Sequence, residues 1–167
     1  MRSLNGRDLN PFSVEFARAL FSKYPSWREF SKIDSSNYST NFLVVEVPAP
    51  AESKADFPLI IDTEGDEVTV GFDRYHSHFN WPPFDEVHQN PLVFIDDIVQ
   101  ERVAIASLWG DSRWLGSQTL APPERTEGIL RKSRAEVLRI RSWNGRFNAD
   151  RPVDNRVGNS DDTDDRN

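Results

Sequence analysis

Residues 59–72 read LIIDTEGDEVTVGF and carry the strand–turn–strand pattern that decides the fold. Leu59–Thr63 and Glu67–Phe72 are rich in apolar and β-branched residues, and the polar link Glu64-Gly65-Asp66 between them is typical of a hairpin turn. Because successive side chains of a strand point to opposite faces, the second arm is predicted to bury one row of residues. That row consists of Val68, Val70 and Phe72, while Thr69 and Gly71 face the other way.

Two helices and four further strands are predicted around this hairpin. Asn10 caps the first helix and Pro11 begins it, and apolar residues recur every four positions as far as Tyr24. Asn90-Pro91 starts the second helix, which extends to about Glu101. The further strands cover Phe42–Val47, Val103–Trp109, Arg113–Leu120 and Glu136–Trp143. Short connections favour antiparallel pairing, so we expect an α+β fold with a mostly antiparallel sheet of about six strands and two main helices packed on it.

The chain of 167 residues is predicted to contain one α+β domain over residues 1–150. Eleven Phe and five Trp residues are enough to build its core. Residues 151–167 contain two Val and no other large apolar residue. They cannot bury enough surface to offset the entropy of ordering them, so we expect an acidic flexible tail there.

The composition excludes several classes of function. The chain has no cysteine, which removes disulfides, thiolate nucleophiles and cysteine-based metal sites. Its net charge of −7 opposes contact with phosphate backbones, so no nucleic-acid partner is predicted. No apolar run approaches the roughly 18 residues of a membrane span. The resulting interpretation is a cytoplasmic protein with no membrane partner and no cofactor.

The segment Gly71–Pro83 contains most of the residues that could support chemistry. In an extended backbone, His76 and His78 point to the same face and could bind one metal ion. Asp73, or the more distant His88, could supply a third ligand. Three such ligands with an open position are typical of a catalytic zinc or non-haem iron site. The alternative function is therefore a metal-dependent hydrolase that uses Asp73, His76 and His78.

The same segment also has a structural interpretation. Pro82 and Pro83 favour a loop over a long strand, and Asp73 and the two histidines could hold that loop by local hydrogen bonds. The chain lacks a Gly-x-Ser-x-Gly elbow, a P-loop and a dinucleotide-binding fingerprint. We therefore interpret the chain as a binding protein rather than an enzyme.

Two kinds of side chain are candidates for contact with a partner. The carboxylates of the predicted hairpin turn form an acidic patch suited to a basic partner. Trp residues near strand ends offer large rigid contact areas, and two of them flank a tight turn as expected cross-strand neighbours. The complete predicted contact set is Glu64, Asp66, Glu67, Asp73, Tyr75, His76, His78, Trp81, Trp109 and Trp114.

Three segments together resemble a known class of bacterial proteins. Residues 68–79 read VTVGFDRYHSHF, residues 94–101 read FIDDIVQE and residues 107–117 read SLWGDSRWLGS. Their arrangement resembles the immunity proteins that accompany polymorphic or contact-dependent toxins. The resemblance implies a small, acidic protein that acts by binding and blocking a cognate protein toxin, and it implies no catalytic residues. An acidic inhibitor would be steered towards a toxin with a basic groove.

Overall fold

The chain forms two antiparallel sheets and two α-helices in the part that the structure, a computed structural model, describes: residues 9–35, 41–83, 89–121 and 134–153. The helices are α1 (Pro11–Lys23) and α2 (Pro91–Val99). Sheet A consists of β1 (Ser31–Ser35), β2 (Asn41–Val47), β3 (Leu59–Asp62), β4 (Val68–Phe72) and β5 (Tyr75–Phe79). Sheet B consists of β6 (Ala104–Gly110), β7 (Arg113–Leu120), β8 (Val137–Arg141) and β9 (Ala149–Pro152).

The predicted α+β class is confirmed, and the strands are more numerous than the pattern indicated. The described residues form nine strands in two sheets, instead of about six strands in one sheet. Sheet A is a simple meander in the order β1-β2-β3-β4-β5, and sheet B has the order β7-β6-β8-β9. The chain passes through α2 after β5, and β6 then pairs with β7 and β8. Residue patterns define a strand but not its partners, which explains the difference.

Three short strands lie where none was predicted, and the first of them is β1 (Ser31–Ser35). β5 occupies the segment expected to be a loop, because the two-residue turn at Asp73 and Arg74 returns the chain alongside β4. Asp73 has φ 51°, a conformation that Asp adopts more readily than most residues. β9 includes Arg151 and Pro152, which were assigned to the tail. Residues 154–167 lie outside the described residues.

The main core lies between sheet A and the two helices. The predicted row of β4, with Val68, Val70 and Phe72, is buried there. The helices contribute chiefly Phe16 and Leu20 from α1 and Ile95 and Ile98 from α2. One face of sheet B builds a second, smaller cluster from Ala104, Ala106, Leu108, Leu138 and Ile140. Ile105, which points to the other face of sheet B, joins the main core and thereby links the two sheets.

Both helices begin at the caps that the sequence predicts. The side chain of Asn10 accepts a hydrogen bond from the Ser13 backbone N–H (2.7 Å), and that of Asn90 accepts one from the Leu92 N–H (2.9 Å). These bonds satisfy donors that the first turn of a helix otherwise leaves unpaired. Among the described residues, no helix combines the length and the apolar character needed to cross a bilayer.

A buried pair of hydroxyl groups connects α1 to sheet A. The Ser13 and Thr63 hydroxyl oxygens are 2.6 Å apart, and both residues are fully buried. The Thr63 hydroxyl also accepts a hydrogen bond from the Leu43 backbone N–H at 2.9 Å. A polar group that is buried without a partner destabilises a fold, so each hydroxyl depends on the other.

We expect Thr63→Val to lower the free energy of unfolding by about 1–3 kcal/mol, because the Leu43 N–H and the Ser13 hydroxyl lose a buried partner. Ser13→Ala should also destabilise. The double variant should cost less than the sum of the two, since it removes both hydroxyls at once. Urea unfolding of the four proteins measures this coupling, and strictly additive losses would show that the two hydroxyls do not interact.

Asp96 connects the C-terminal half of α2 to the end of α1. Its carboxylate accepts hydrogen bonds from Arg102 (2.7 Å) and from the Tyr24 hydroxyl (2.9 Å), and Lys23 Nζ lies 3.1 Å away. Burial opposes ionisation of Asp96, but the bonds from Arg102, Tyr24 and Lys23 outweigh it and lower the pKa of Asp96 to about 2. Burial, and then Asp96, raise the pKa of the Tyr24 hydroxyl above its usual range.

The ionised form of Asp96 should therefore stabilise the fold above about pH 4, and that contribution should be lost as the pH falls towards about 2. We expect Asp96→Asn to lower the free energy of unfolding by roughly 2 kcal/mol at pH 7, and by much less at pH 2. Denaturant unfolding at both pH values tests this, with the exposed Asp34→Asn as the control. An equal loss at pH 7 and pH 2 would contradict the expectation.

Candidate functional site

Trp109 of β6 lies at the centre of a row of large side chains across sheet B. It is paired with Trp114 of β7 and with Val137 of β8, so the predicted cross-strand pairing of the two tryptophans is confirmed. The turn at Asp111 and Ser112, where φ is 50° and 58°, brings β6 and β7 together. Paired residues of an antiparallel sheet share a face. The three side chains therefore lie side by side.

Two arginines from different sheets contact Trp109. The guanidinium carbon of Arg74, in the β4–β5 turn, is 5.1 Å from the centroid of the Trp109 ring and 4.6 Å from that of Phe57. The guanidinium carbon of Arg139, in β8, is also 5.1 Å from the Trp109 centroid. Arginine over an aromatic face is held by electrostatic attraction as well as by contact area. Trp109 thus joins the ends of sheets A and B.

The carboxylate of Asp56 bridges the same two arginines. Its oxygens accept from both terminal nitrogens of Arg139 at 3.2 Å and from Nε of Arg74 at 3.1 Å. The hydrogen bonds from Arg139 and then from Arg74 outweigh the effect of burial and lower the pKa of Asp56. Paired hydrogen bonds of this kind fix the plane of a guanidinium group. Both arginines are therefore held in place over the Trp109 ring.

We define the tryptophan–arginine surface as Phe57, Arg74, Trp109, Trp114, Val137 and Arg139. It contains every large hydrophobic side chain that is exposed among the described residues: Trp114 (49%), Phe57 (43%) and Val137 (36%). Exposed apolar side chains that are scattered singly need no explanation, but a cluster marks a contact surface. Trp and Arg are also the side chains most enriched among residues that dominate binding energy.

A shallow depression of about 200 Å³ borders this surface on the side of Phe57 and Arg74. Its walls are mostly apolar, and they include Phe57, Pro58 and Ile60. Asp73 and His76 supply polar groups. Pockets for small-molecule ligands generally exceed about 300 Å³, so this depression has the size for one side chain.

The two histidines share a face of sheet A, as their spacing predicts. Their rings are 5.3 Å apart, centroid to centroid. Nδ1 of His78 is 2.8 Å from the carboxylate of Glu67 and 3.1 Å from the Thr69 hydroxyl. Asp73 lies in the turn beyond β4, where one carboxylate oxygen accepts a hydrogen bond from the Asp56 N–H at 2.7 Å.

Among the described residues, no three His, Asp or Glu side chains are placed to hold a metal ion together. His88, the other proposed ligand, lies outside those residues. The metal-dependent hydrolase that would use Asp73, His76 and His78 stays a prediction.

Of the other predicted contact residues, Glu64, Asp66 and Trp81 lie apart from the tryptophan–arginine surface, whereas Tyr75 lines the depression beside Arg74. Glu64 and Asp66 belong to the turn between β3 and β4, at the opposite end of β4 from Asp73. Trp81 packs edge-on against Phe16 of α1, with ring centroids 5.3 Å apart. Tyr75 contacts Phe94 of α2 at 6.2 Å. The structure thus brings together Trp109 and Trp114, but it separates them from the acidic turn.

Five residues of the site were not predicted from the sequence: Asp56, Phe57, Arg74, Val137 and Arg139. Asp56 and Phe57 lie between two predicted strands, Arg74 follows the predicted Asp73, and Val137 and Arg139 belong to the predicted strand Glu136–Trp143. Val137 and Arg139 carried a signal, because alternation places them on the face opposite Leu138 and Ile140. The contact of Arg139 with Asp56 joins residues 83 positions apart.

Comparison of the chain with protein-family models, with curated proteins and with solved structures gave no match. The resemblance to immunity proteins therefore stays a prediction, and the function is argued from the geometry of the site.

We expect Asp56→Asn to lower the free energy of unfolding by roughly 1–3 kcal/mol at neutral pH, because two guanidinium groups lose their common anion. The pKa of Asp56 is lowered on folding, so the contribution exists above the unfolded value of about 3.9 and is lost as the pH falls below it. Denaturant unfolding at pH 7 and at pH 3 measures the difference. Asp111→Asn, in an exposed turn, is the control, and equal losses for both variants would contradict the role of Asp56.

Proposed function

We propose that this protein is a binding protein that neutralises a cognate bacterial toxin by direct complex formation. The observation that carries the proposal is the clustering of the exposed Phe57, Trp114 and Val137 around Trp109. An interface of high affinity needs a few rigid anchors, and aromatic side chains supply large contact area at a small entropic cost.

The arginines of the surface support the same function. Arg74 and Arg139 are fixed by the Asp56 carboxylate and by the Trp109 ring, so little side-chain entropy remains to be lost when a partner binds. The two guanidinium groups share the Asp56 carboxylate between them. The partner that fits this surface presents aliphatic or aromatic side chains together with carboxylates or backbone carbonyls that accept hydrogen bonds.

The acidic character of the chain supports the choice of a toxin as the partner. A net charge of −7 steers the protein towards a basic molecule and raises the rate of encounter. Glu64 and Glu67 lie at the turn at the far end of β4. There they can attract a basic partner during approach, although they are not part of the surface that holds the aromatic anchors.

The test uses the product of the neighbouring gene as the binding partner. We expect a one-to-one complex by calorimetry, and protection of cells when both proteins are produced together. Trp114→Ala and Phe57→Ala should each weaken the complex by about tenfold or more, because truncation of an anchor typically costs 2 kcal/mol or more. Both side chains are exposed, so the stability of the free protein should change little.

The exposed Glu29→Ala, outside the tryptophan–arginine surface, is the matched control and should leave the affinity unchanged. A second control, Glu64→Gln with Glu67→Gln, separates steering from anchoring: it should slow association at low salt and leave dissociation unchanged. The proposal fails if the wild-type protein does not bind the neighbouring gene product. It also fails if the Trp114 and Phe57 variants bind and protect as well as the wild type.

A further inference from the structure

We propose that the depression beside Phe57 accepts a lysine side chain of the partner, with its ammonium group bound by the carboxylate of Asp73. This inference rests on the proposed function, because the lysine belongs to the protein that the tryptophan–arginine surface binds. The lysine is a second anchor, which the partner supplies and which carries a positive charge. The fixed charges of the tryptophan–arginine surface itself are those of its two arginines.

Asp73 is the polar group that the fold leaves incompletely satisfied at this place. The residue is only 5% exposed, and its Oδ1 accepts the hydrogen bond from the Asp56 N–H. Its Oδ2 is buried and has no hydrogen-bond partner among the described residues. A buried carboxylate oxygen without a donor is costly, and a donor brought by a partner removes that cost.

The walls of the depression suit the aliphatic part of the same side chain. Phe57, Pro58 and Ile60 line it, and Gly71 of β4 adds backbone without a side chain. A lysine buries its four methylene groups along such walls while its ammonium reaches a polar group at the end. A volume of about 200 Å³ accommodates one side chain of this kind.

The charges around the depression favour a cation at Asp73. Arg74 also lines the depression, but its guanidinium is already hydrogen-bonded to Asp56. His76 is exposed at the rim. The other buried side-chain atoms without partners in the described residues, Trp81 Nε1 and Arg139 Nε, belong to residues outside this lining. The unmet requirement here is for a donor, which a lysine supplies.

The direct test uses n-butylammonium, which reproduces the end of a lysine side chain, in an NMR titration of the full chain. We expect saturable shifts of the Asp56 and Asp73 amides, with a Kd in the range of about 1–30 mM. Asp73→Asn should abolish them. Asparagine tolerates the left-handed backbone at this turn and keeps the oxygen that accepts from Asp56, so the fold is preserved.

Asp111→Asn is the matched control, because Asp111 is exposed and has nearly the same φ in the other two-residue turn. n-Butanol controls for the apolar stem. The inference is overturned if n-butylammonium gives no saturable shifts, if n-butanol gives the same shifts, or if Asp73→Asn still binds. If Asp73→Asn does not fold, the comparison of n-butylammonium with n-butanol on the wild type still shows whether binding needs the ammonium group.

The complex with the neighbouring gene product supplies the second measurement. Asp73→Asn should weaken it by about tenfold or more, while Asp34→Asn, at an exposed position of the edge strand β1, leaves it unchanged. Equal affinity of Asp73→Asn and wild type would overturn the lysine pocket and leave the proposed function intact. No binding by the wild type would overturn the proposed function, and the n-butylammonium titration would then decide the chemistry of the depression.

Discussion

The arrangement of the candidate site depends on one carboxylate that lies between two guanidinium groups. Asp56 binds Arg74, which belongs to the β4–β5 turn of sheet A, and Arg139, which belongs to β8 of sheet B. The sheets are separate hydrogen-bonded units, so their relative placement relies on side chains. Ile105 joins them in the core, and Asp56 joins them at the surface. Because the backbone N–H of Asp56 also donates to Asp73, one residue fixes both arginines and orients the buried carboxylate.

Much of the fold could be predicted because its signals are local. The alternation in residues 59–72 defines β3 and β4, and Asn10 and Asn90 mark where the helices begin. β5 was not predicted because its outward row consists of two histidines and prolines follow soon after it. The division into two sheets was not predicted either. Whether β6 extends one sheet or begins another depends on packing between segments distant in the chain, and residue patterns carry no such information.

Contacts between distant segments of the chain also limited the prediction of the site, and to a greater extent. Trp109 and Trp114 could be paired from the sequence, because a two-residue turn leaves little freedom in register. Asp56 could not be assigned to Arg139, since a single charged residue in a linker has many possible partners along a chain with 28% charged residues. The acidic turn was the more visible feature of the sequence. It lies at the other end of β4 from the side chains that the structure gathers.

Under the proposed function, that separation assigns attraction of the partner and contact with it to two different parts of the molecule. β4 has five residues, so roughly 17 Å separate the acidic turn from the turn at Asp73 and Arg74. At physiological salt, charges further apart than about 8 Å are largely screened from each other. The acidic groups therefore leave the local field of the arginines almost unchanged, although they still attract a basic molecule during approach. In the proposed complex, contacts at Trp109 and its neighbours then decide which molecule stays bound, so the net charge of the chain is a poor guide to the proposed contact surface.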